Sequence, residues 1–307
     1  MEIFLQQIIN GLVQGSVYAL VALGYTMVYG ILGLINFAHG EVVMVGAMIS
    51  LSVLTALIAA GVSPLFALPV SLLLSMAGCM ALGYGIERIA YRPLRHAPRL
   101  APLITAIGVS IVLQNLAMMI WGREYHAFPQ LIVNHPHQIF GAIINDIQIA
   151  IVITALCLMA GLMVLVHRTR LGRSMRAVAE NQHAAQLMGV DVNRVISTTF
   201  MIGSALAAVA GLMVSANYGL AHYYMGFLLG LKAFTAAVLG GIGNLRGAML
   251  GGLLLGLIES LGAGYIGDIT GGFMGSQYQD VFAFFVLIAV LVFRPSGLLG
   301  ERLAERA

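Results

Sequence analysis

The sequence predicts an all-α, polytopic helical membrane protein of about eight to ten transmembrane segments, some of them interrupted by glycine. Three observations carry this. Hydrophobic residues make up 60% of the chain and charged residues 9%, with a mean hydropathy of +0.96. The apolar residues fall in repeated runs of roughly twenty, the length that crosses a hydrocarbon core as a helix. Lipid offers no partner to backbone N–H and C=O groups, so such runs must satisfy them internally. Glycine is also abundant, at 37 of 307 residues; that excess suits membrane helices, whose small residues let backbones approach closely.

Taken in order, the first apolar run covers about Leu5 to Leu32 and contains Gly11-x-x-x-Gly15, a close-packing spacing. The first ten residues, MEIFLQQIIN, lack a basic segment, so no cleaved signal peptide is expected. Next, Gly33 to Glu41 places Asn36, His39 and Glu41 between two apolar runs without a proper polar loop. A second run follows from Val42 to about Ala60, then a Gly61–Pro64 turn and a third run from Leu65 to Ile86. The segment Glu87 to Arg99 carries four arginines and reads as cytoplasmic.

A fourth span is expected at Ala101 to Trp121, and Gly122 to Asp146, with one Arg, three His and two Pro, suits the outer side. The fifth span, Ile147 to Val166, leads into the longest charge-bearing stretch of the chain, His167 to Arg194, which holds five of the fifteen Lys and Arg. The sixth covers Val195 to Asn217, and Tyr218 to Met225 reads as an outer interfacial turn where aromatic rings settle. A hairpin of two spans comes next, Phe227 to Gly243 and Gly247 to Tyr265, turning at Gly243-Asn244-Leu245-Arg246. Its first arm is short for a core of about 30 Å and is expected to be broken or re-entrant. An outer loop to Asp280, a last span from Val281 to Phe293 and a cytoplasmic tail from Arg294 complete the chain.

Charge sets the orientation. Thirteen of the fifteen Lys and Arg lie in segments assigned to the inner side; the others are Arg123, outside, and Lys232, within a span. An odd number of crossings puts the N-terminus outside. Both halves hold a Gly-interrupted segment, near Gly30–Gly40 and Gly240–Gly252. That pattern points to a translocation pathway, or else to ordinary packing glycines.

Ionisable groups inside apolar runs are costly and functional by default. Here they are Glu41, Lys232 and Glu259. Lys232 and Glu259 lie 12 and 15 residues from Asn244 on opposite arms of the hairpin. At 1.5 Å per residue both sit roughly 18 to 22 Å from the turn, so pairing or a shared polar cavity is expected, with snorkelling of Lys232 to the headgroups as the alternative. His39 reads as a hydrogen-bonded structural group, and His135-Pro136-His137 as solvated loop, so no metal site is expected. Cys79 and Cys157 fall inside apolar runs, which argues against a disulfide. The chain cannot supply a nucleotide-binding P-loop, since its one lysine, Lys232, is followed by Ala233. It also lacks a Gly-x-Ser-x-Gly elbow and a His-Glu-x-x-His pair, so no catalytic centre or cofactor is expected.

The basic stretch is itself patterned. From Arg173 to Met188 there is no Pro or Gly, and the composition favours one short helix. Gly189 is a natural C-cap and Asp191 an N-cap for the following span. Ala184, Ala185, Leu187 and Met188 give that helix a small apolar knob, suited to docking a cytoplasmic partner or to lying on anionic lipid.

Four stretches together carry a family resemblance: Gly24 to Ile31 (GYTMVYGI), Ile35 to Glu41 (INFAHGE), Ile86 to Arg95 (IERIAYRPLR) and Lys232 to Gly243 (KAFTAAVLGGIG). In this order they resemble the LivH/LivM permease family of bacterial branched-chain amino acid ABC importers, along essentially the whole chain. The resemblance implies a single transmembrane permease domain over residues 1–307 in the bacterial inner membrane. It implies a LivM-like second permease, two cytoplasmic ATPases (LivG- and LivF-like), a periplasmic amino-acid-binding protein and no nucleic acid. The stretch Ala179-Glu180-Asn181 to Gly189 is similar to the ATPase-docking loop of such permeases, an Ala-rich helix ending in Gly, without the strict Glu-Ala-Ala start. Ala179, Glu180, Ala184, Leu187, Met188 and Gly189 are then the expected ATPase contacts. Asn36, His39, Glu41, Lys232 and Glu259 are expected on the translocation pathway of an alternating-access cycle. Selectivity is expected to reside mostly in the binding protein. Related permeases move urea or short amides, and these motifs do not exclude them. From other classes, an ion-coupled secondary transporter using Glu41, Lys232 and Glu259 competes with this reading, and an intramembrane enzyme is disfavoured by the missing nucleophile and metal constellations.

Overall fold

The computed structural model describes residues 2–95, 97, 98, 100–129, 135–269, 271 and 278–300. His96 and Arg99 of the expected inner loop, most of the loop before Asp280, and Arg302 and Arg306 of the tail lie outside the described residues. Among the described residues, seven helices are long and apolar enough to cross a membrane, and two further apolar helices are shorter. The long ones are α1 (Glu2–Leu32), α2 (His39–Ala59), α3 (Pro64–Gly85), α4 (Leu100–Trp121), α5 (Asp146–Arg168), α8 (Val192–Tyr218) and α10 (Leu245–Ile269). The shorter are α9 (Met225–Gly240) and α11 (Gln279–Phe293). All nine fall on the runs read from the sequence. The sixteen residues of α9 reach about 24 Å, less than a full hydrocarbon core.

The chain forms two compact units. A central one holds residues 27–133 and 158–231, and a terminal one holds 1–26, 134–157 and 232–307. In the central unit α2, α3 and α8 pack on one another. Their core gathers Met44, Met48, Leu51, Leu54, Ala67 and Leu212. α3 does not end cleanly at Gly85. It runs on into a six-residue π-helical turn, Ile86–Tyr91, and a 3-10 turn, Arg92–Leu94.

Two short strands were not expected in this unit. β1 (His126–Ala127) pairs antiparallel with β4 (Leu220–Ala221), and beside them Tyr125 stacks on His222 at 4.2 Å. The basic stretch also differs from the single helix expected. It is α6 (Arg170–Glu180) and α7 (Gln182–Leu187), separated by Asn181 in an extended conformation. The cause is local. Asn181 Oδ1 accepts from the Ala184 N–H at 3.0 Å, so the side chain caps a new helix instead of continuing the old one.

In the terminal unit α1 and α10 meet backbone to backbone. A Cβ on Gly11 or Gly15 would lie 2.8 Å from the Cα of Leu257 or Leu253, so only glycine fits. A hairpin of β2 (Pro136–Ile139) and β3 (Ala142–Asn145) sits against the start of α1, where Gln6 accepts from Ile143 N–H at 2.7 Å and donates to its carbonyl at 2.9 Å. His135 and His137 are exposed to solvent as expected, and both meet Asp146: His137 Nε2 is 2.6 Å from Asp146 Oδ1, and the His135 N–H donates to Oδ2. After α11 the chain turns back onto the α9–α10 turn. Leu298 and Leu299 N–H donate to the carbonyls of Leu239 and Gly240, each at 2.9 Å, and Asn244 Nδ2 donates to Leu299 O.

Candidate functional site

Polar side chains are few in this protein, and the candidate residues fall in three places. The first lies in the central unit where α1 stops. Gly33 takes φ +63° and its N–H closes on the Tyr29 carbonyl, which ends the helix. Residues 34–38 then run irregularly before α2 begins at His39. Asn36 is buried; its Oδ1 accepts from the Tyr91 hydroxyl at 3.0 Å, and its carbonyl accepts from His39 N–H. His39 is buried as well. Glu41 stands in the first turn of α2, where the helix dipole favours a negative charge. It is 1% exposed. Its Oε1 accepts from Gln114 Nε2 at 2.6 Å and Ser110 Oγ at 3.2 Å, both from α4. Its Oε2 has no hydrogen bond among the described residues. The wall beside it is glycine on both sides, since a Cβ on Gly40 would lie 2.8 Å from Gly230 Cα.

The second place is in the terminal unit. Glu259 Oε2 accepts from Tyr18 O–H at 2.7 Å and Gln14 Nε2 at 3.0 Å, and lies 3.3 Å from Lys232 Nζ. Lys232 Nζ is also 2.6 Å from Asp280 Oδ1 and sits over the Tyr18 ring at 5.9 Å. One ammonium is thus held between two carboxylates. The close approach of α1 and α10 through their glycines is what carries Gln14 and Tyr18 to Glu259. The structure brings Asn36 to Glu41 into one unit and Lys232 with Glu259 into the other; within each, the named residues share a neighbourhood.

The third is the basic stretch. Ala179, Glu180, Ala184, Leu187, Met188 and Gly189 are all exposed, Leu187 at 76% and Met188 at 84%. Ala185, by contrast, is buried. Gly189 takes φ +82°, and N–H groups of Gly189 and Val190 close onto Gln186 and Ala185, as a glycine C-cap does. Asp191 Oδ1 accepts from Arg194 N–H at 3.1 Å and starts α8. α6 is held against the end of α5: Arg176 donates to the Val166 carbonyl at 2.5 Å, and a Cβ on Gly172 would overlap the backbone of Leu165 and Val166. Just outside the spans, burial beside Glu87 lowers the Arg95 guanidinium from its usual range, a drift the Glu87 charge opposes.

Sequence reasoning missed Tyr18, Gln14, Asp280, Ser110 and Gln114. Two signals were available: Gln14 with Tyr18, and Ser110 with Gln114, are polar pairs at i, i+4 within otherwise apolar runs. No group of three or more His, Cys, Asp and Glu side chains able to hold a metal occurs among the described residues.

Among known protein families, the model described as "Branched-chain amino acid transport system / permease component" matches residues 7–291. The chain is 48% identical to the high-affinity branched-chain amino acid transport system permease protein BraD of Pseudomonas aeruginosa, over 99% of this chain and 98% of the relative. It is 44% identical to the corresponding permease protein LivH of Escherichia coli, over 99% of this chain and 97% of the relative. A probable LivH of Methanocaldococcus jannaschii is 28% identical over 95% of this chain and 91% of the relative. No solved structure matches the chain.

Proposed function

The chain belongs to the branched-chain amino acid transport system permease family, and from that premise we propose that it is the transmembrane permease subunit of an ATP-binding-cassette importer for leucine, isoleucine and valine. The observation that carries this is the near full-length identity to two high-affinity branched-chain permeases. It is a transport subunit and not an enzyme. ATP hydrolysis falls to two separate cytoplasmic ATPases, substrate delivery to a periplasmic binding protein, and the other half of the pore to a LivM-like second permease. Both units work as one permease domain in the inner membrane.

The exposed, apolar Leu187 and Met188 on the basic loop support docking of an ATPase there. Two large bare apolar side chains on a loop with five arginines suit a face that a partner covers. Ala179, Glu180, Ala184 and Gly189 complete that face. Asn36, His39 and Glu41 in the central unit, and separately Lys232 and Glu259 in the terminal unit, are the candidates for translocation, because polar groups interrupt apolar helices at each. Alternating access then follows from ATP-driven closure pulling on the 170–189 helices.

The test is co-purification of the ATPases with the wild type and with a Gly189→Asp, Ala184→Arg double variant, with uptake of labelled leucine measured in the same cells. Loss of both ATPases and uptake in the variant is the expected result. Uptake that persists without bound ATPase and collapses with the proton gradient would replace the importer with an ion-coupled transporter.

A further inference from the structure

The break between α1 and α2 is held from two directions, and both lead to the basic loop. Ile31 is in the last turn of α1, where carbonyls lack intrahelical partners. Its oxygen accepts from the Gln182 Nε2 of α7 at 3.1 Å. Five residues on, Asn36 Oδ1 accepts from the Tyr91 hydroxyl at the end of the π-helical turn. That turn is in its own right fastened to the beginning of α8. Glu87 is fully buried and pairs with Arg95, accepts from Ser197 Oγ at 2.6 Å and lies 3.7 Å from Arg92. Arg95 Nη1 donates onward to Asn193 Oδ1 at 2.7 Å. The Tyr91 ring packs on Phe200 at 5.3 Å. Asn193, Ser197 and Phe200 are in the opening turns of the helix that the loop starts through Gly189 and the Asp191 cap.

Helical spacing is what allows this. Glu87 and Tyr91, four apart, both face α8, matching Ser197 and Phe200, three apart on the opposing helix. Burying a carboxylate there is costly unless its partners are complete, and Arg95 and Ser197 provide them. The fastening is therefore stiff, while residues 34–38 have no helix of their own. Displacement of the loop would be absorbed at the break.

We propose that Tyr91 and Gln182 are positioning residues that carry movement of loop 170–194 to the α1–α2 break, Gln182 directly and Tyr91 through the Glu87–Arg95 clamp on α8. This rests on the reading of the loop as the ATPase-docking element. All of these residues belong to the central unit.

The test uses the full importer, with second permease, ATPases and binding protein, in proteoliposomes, and reads leucine imported per ATP hydrolysed. Tyr91→Phe keeps the ring on Phe200 and removes one O–H; Gln182→Ala removes one donor from a surface side chain. Both variants are expected to assemble with ATPases as the wild type does and to hydrolyse ATP, while leucine per ATP falls roughly two- to tenfold, the scale of one hydrogen bond. The double variant falls further. An unchanged ratio in all three overturns the proposal, whether uptake is normal or declines in step with hydrolysis. Loss of assembly in both single variants overturns it too, because the contacts are then structural. Failure of the underlying reading looks different: the wild type itself would bind no ATPase or import without ATP.

Discussion

Replacing Lys232 with Met removes the cation between Glu259 and Asp280 while keeping most of the length of the side chain. At 3.3 Å and an effective dielectric near 20, the Lys232–Glu259 attraction is about 5 kcal/mol before desolvation. Breaking a buried pair from one side typically costs about 3–5 kcal/mol. Glu259 keeps its bonds from Tyr18 and Gln14, so the expected cost lies at the low end, about 3 kcal/mol. Glu259→Gln is milder. Lys232 retains Asp280 at 2.6 Å, the amide oxygen still accepts from Tyr18, and the cost is about 1 kcal/mol. In the double variant no charge is left orphaned at position 259, but the 38% exposed Asp280 still loses Lys232, so the cost exceeds that of Glu259→Gln alone and stays below the sum of the two single costs. The cycle therefore predicts a coupling of about 1–2 kcal/mol. Unfolding free energy in mixed detergent micelles measures it. Additive effects of the two substitutions would refute the pairing as an energetic unit.

Other outcomes follow from single contacts. Gly15→Leu drives a side chain into Leu253 Cα and is expected to abolish the folded permease in membranes, whereas Gly33→Ala, with open space around it and φ +63°, costs only about 1–2 kcal/mol; expression and thermal midpoint separate them. Gln114→Leu leaves Glu41 without its 2.6 Å donor and lowers stability by about 1.5–3 kcal/mol, part of which Glu41→Gln restores in the same melting assay. Gly172→Ala forces α6 away from the end of α5 and is expected to cost ATPase co-purification without affecting membrane insertion. Asn181→Ala removes the α7 cap, worth about 1 kcal/mol, and raises amide exchange across residues 182–187.

The helices were legible because hydrocarbon permits so little else: each twenty-residue apolar run became one. The Lys232–Glu259 pair was legible too, since two charges counted back to equal depth from Asn244 have few places to go. What was not legible depended on contacts distant in sequence. Asp280 is 48 residues from Lys232, and nothing in its own neighbourhood marks it as a partner. The short strands β1 and β4 pair residues 126–127 with 220–221, across a separation no local pattern records. The break at Asn181 was missed for a different reason. Helix propensity was counted along the stretch, and a side chain competing with the backbone for an N–H was not. The π turn after Gly85 is likewise invisible to periodicity, because over only six residues Ile86–Tyr91 reads as ordinary helix.

Lys232 has one more consequence, for chemical labelling. It is the only lysine in 307 residues, and its side chain is 14% exposed with the amine engaged by two carboxylates. Acylating reagents attack an amine that is neutral and sterically open. Apart from the chain's α-amine, this protein therefore carries a single primary amine, and that amine is shielded for as long as Glu259 and Asp280 hold it. Within this subunit, a small amine-directed ester added to the working importer modifies one side chain, at a rate set by how often that grip is released. Mass shift of the peptide containing residue 232 then serves as a clock for opening events, with no cysteine introduced and no dye attached.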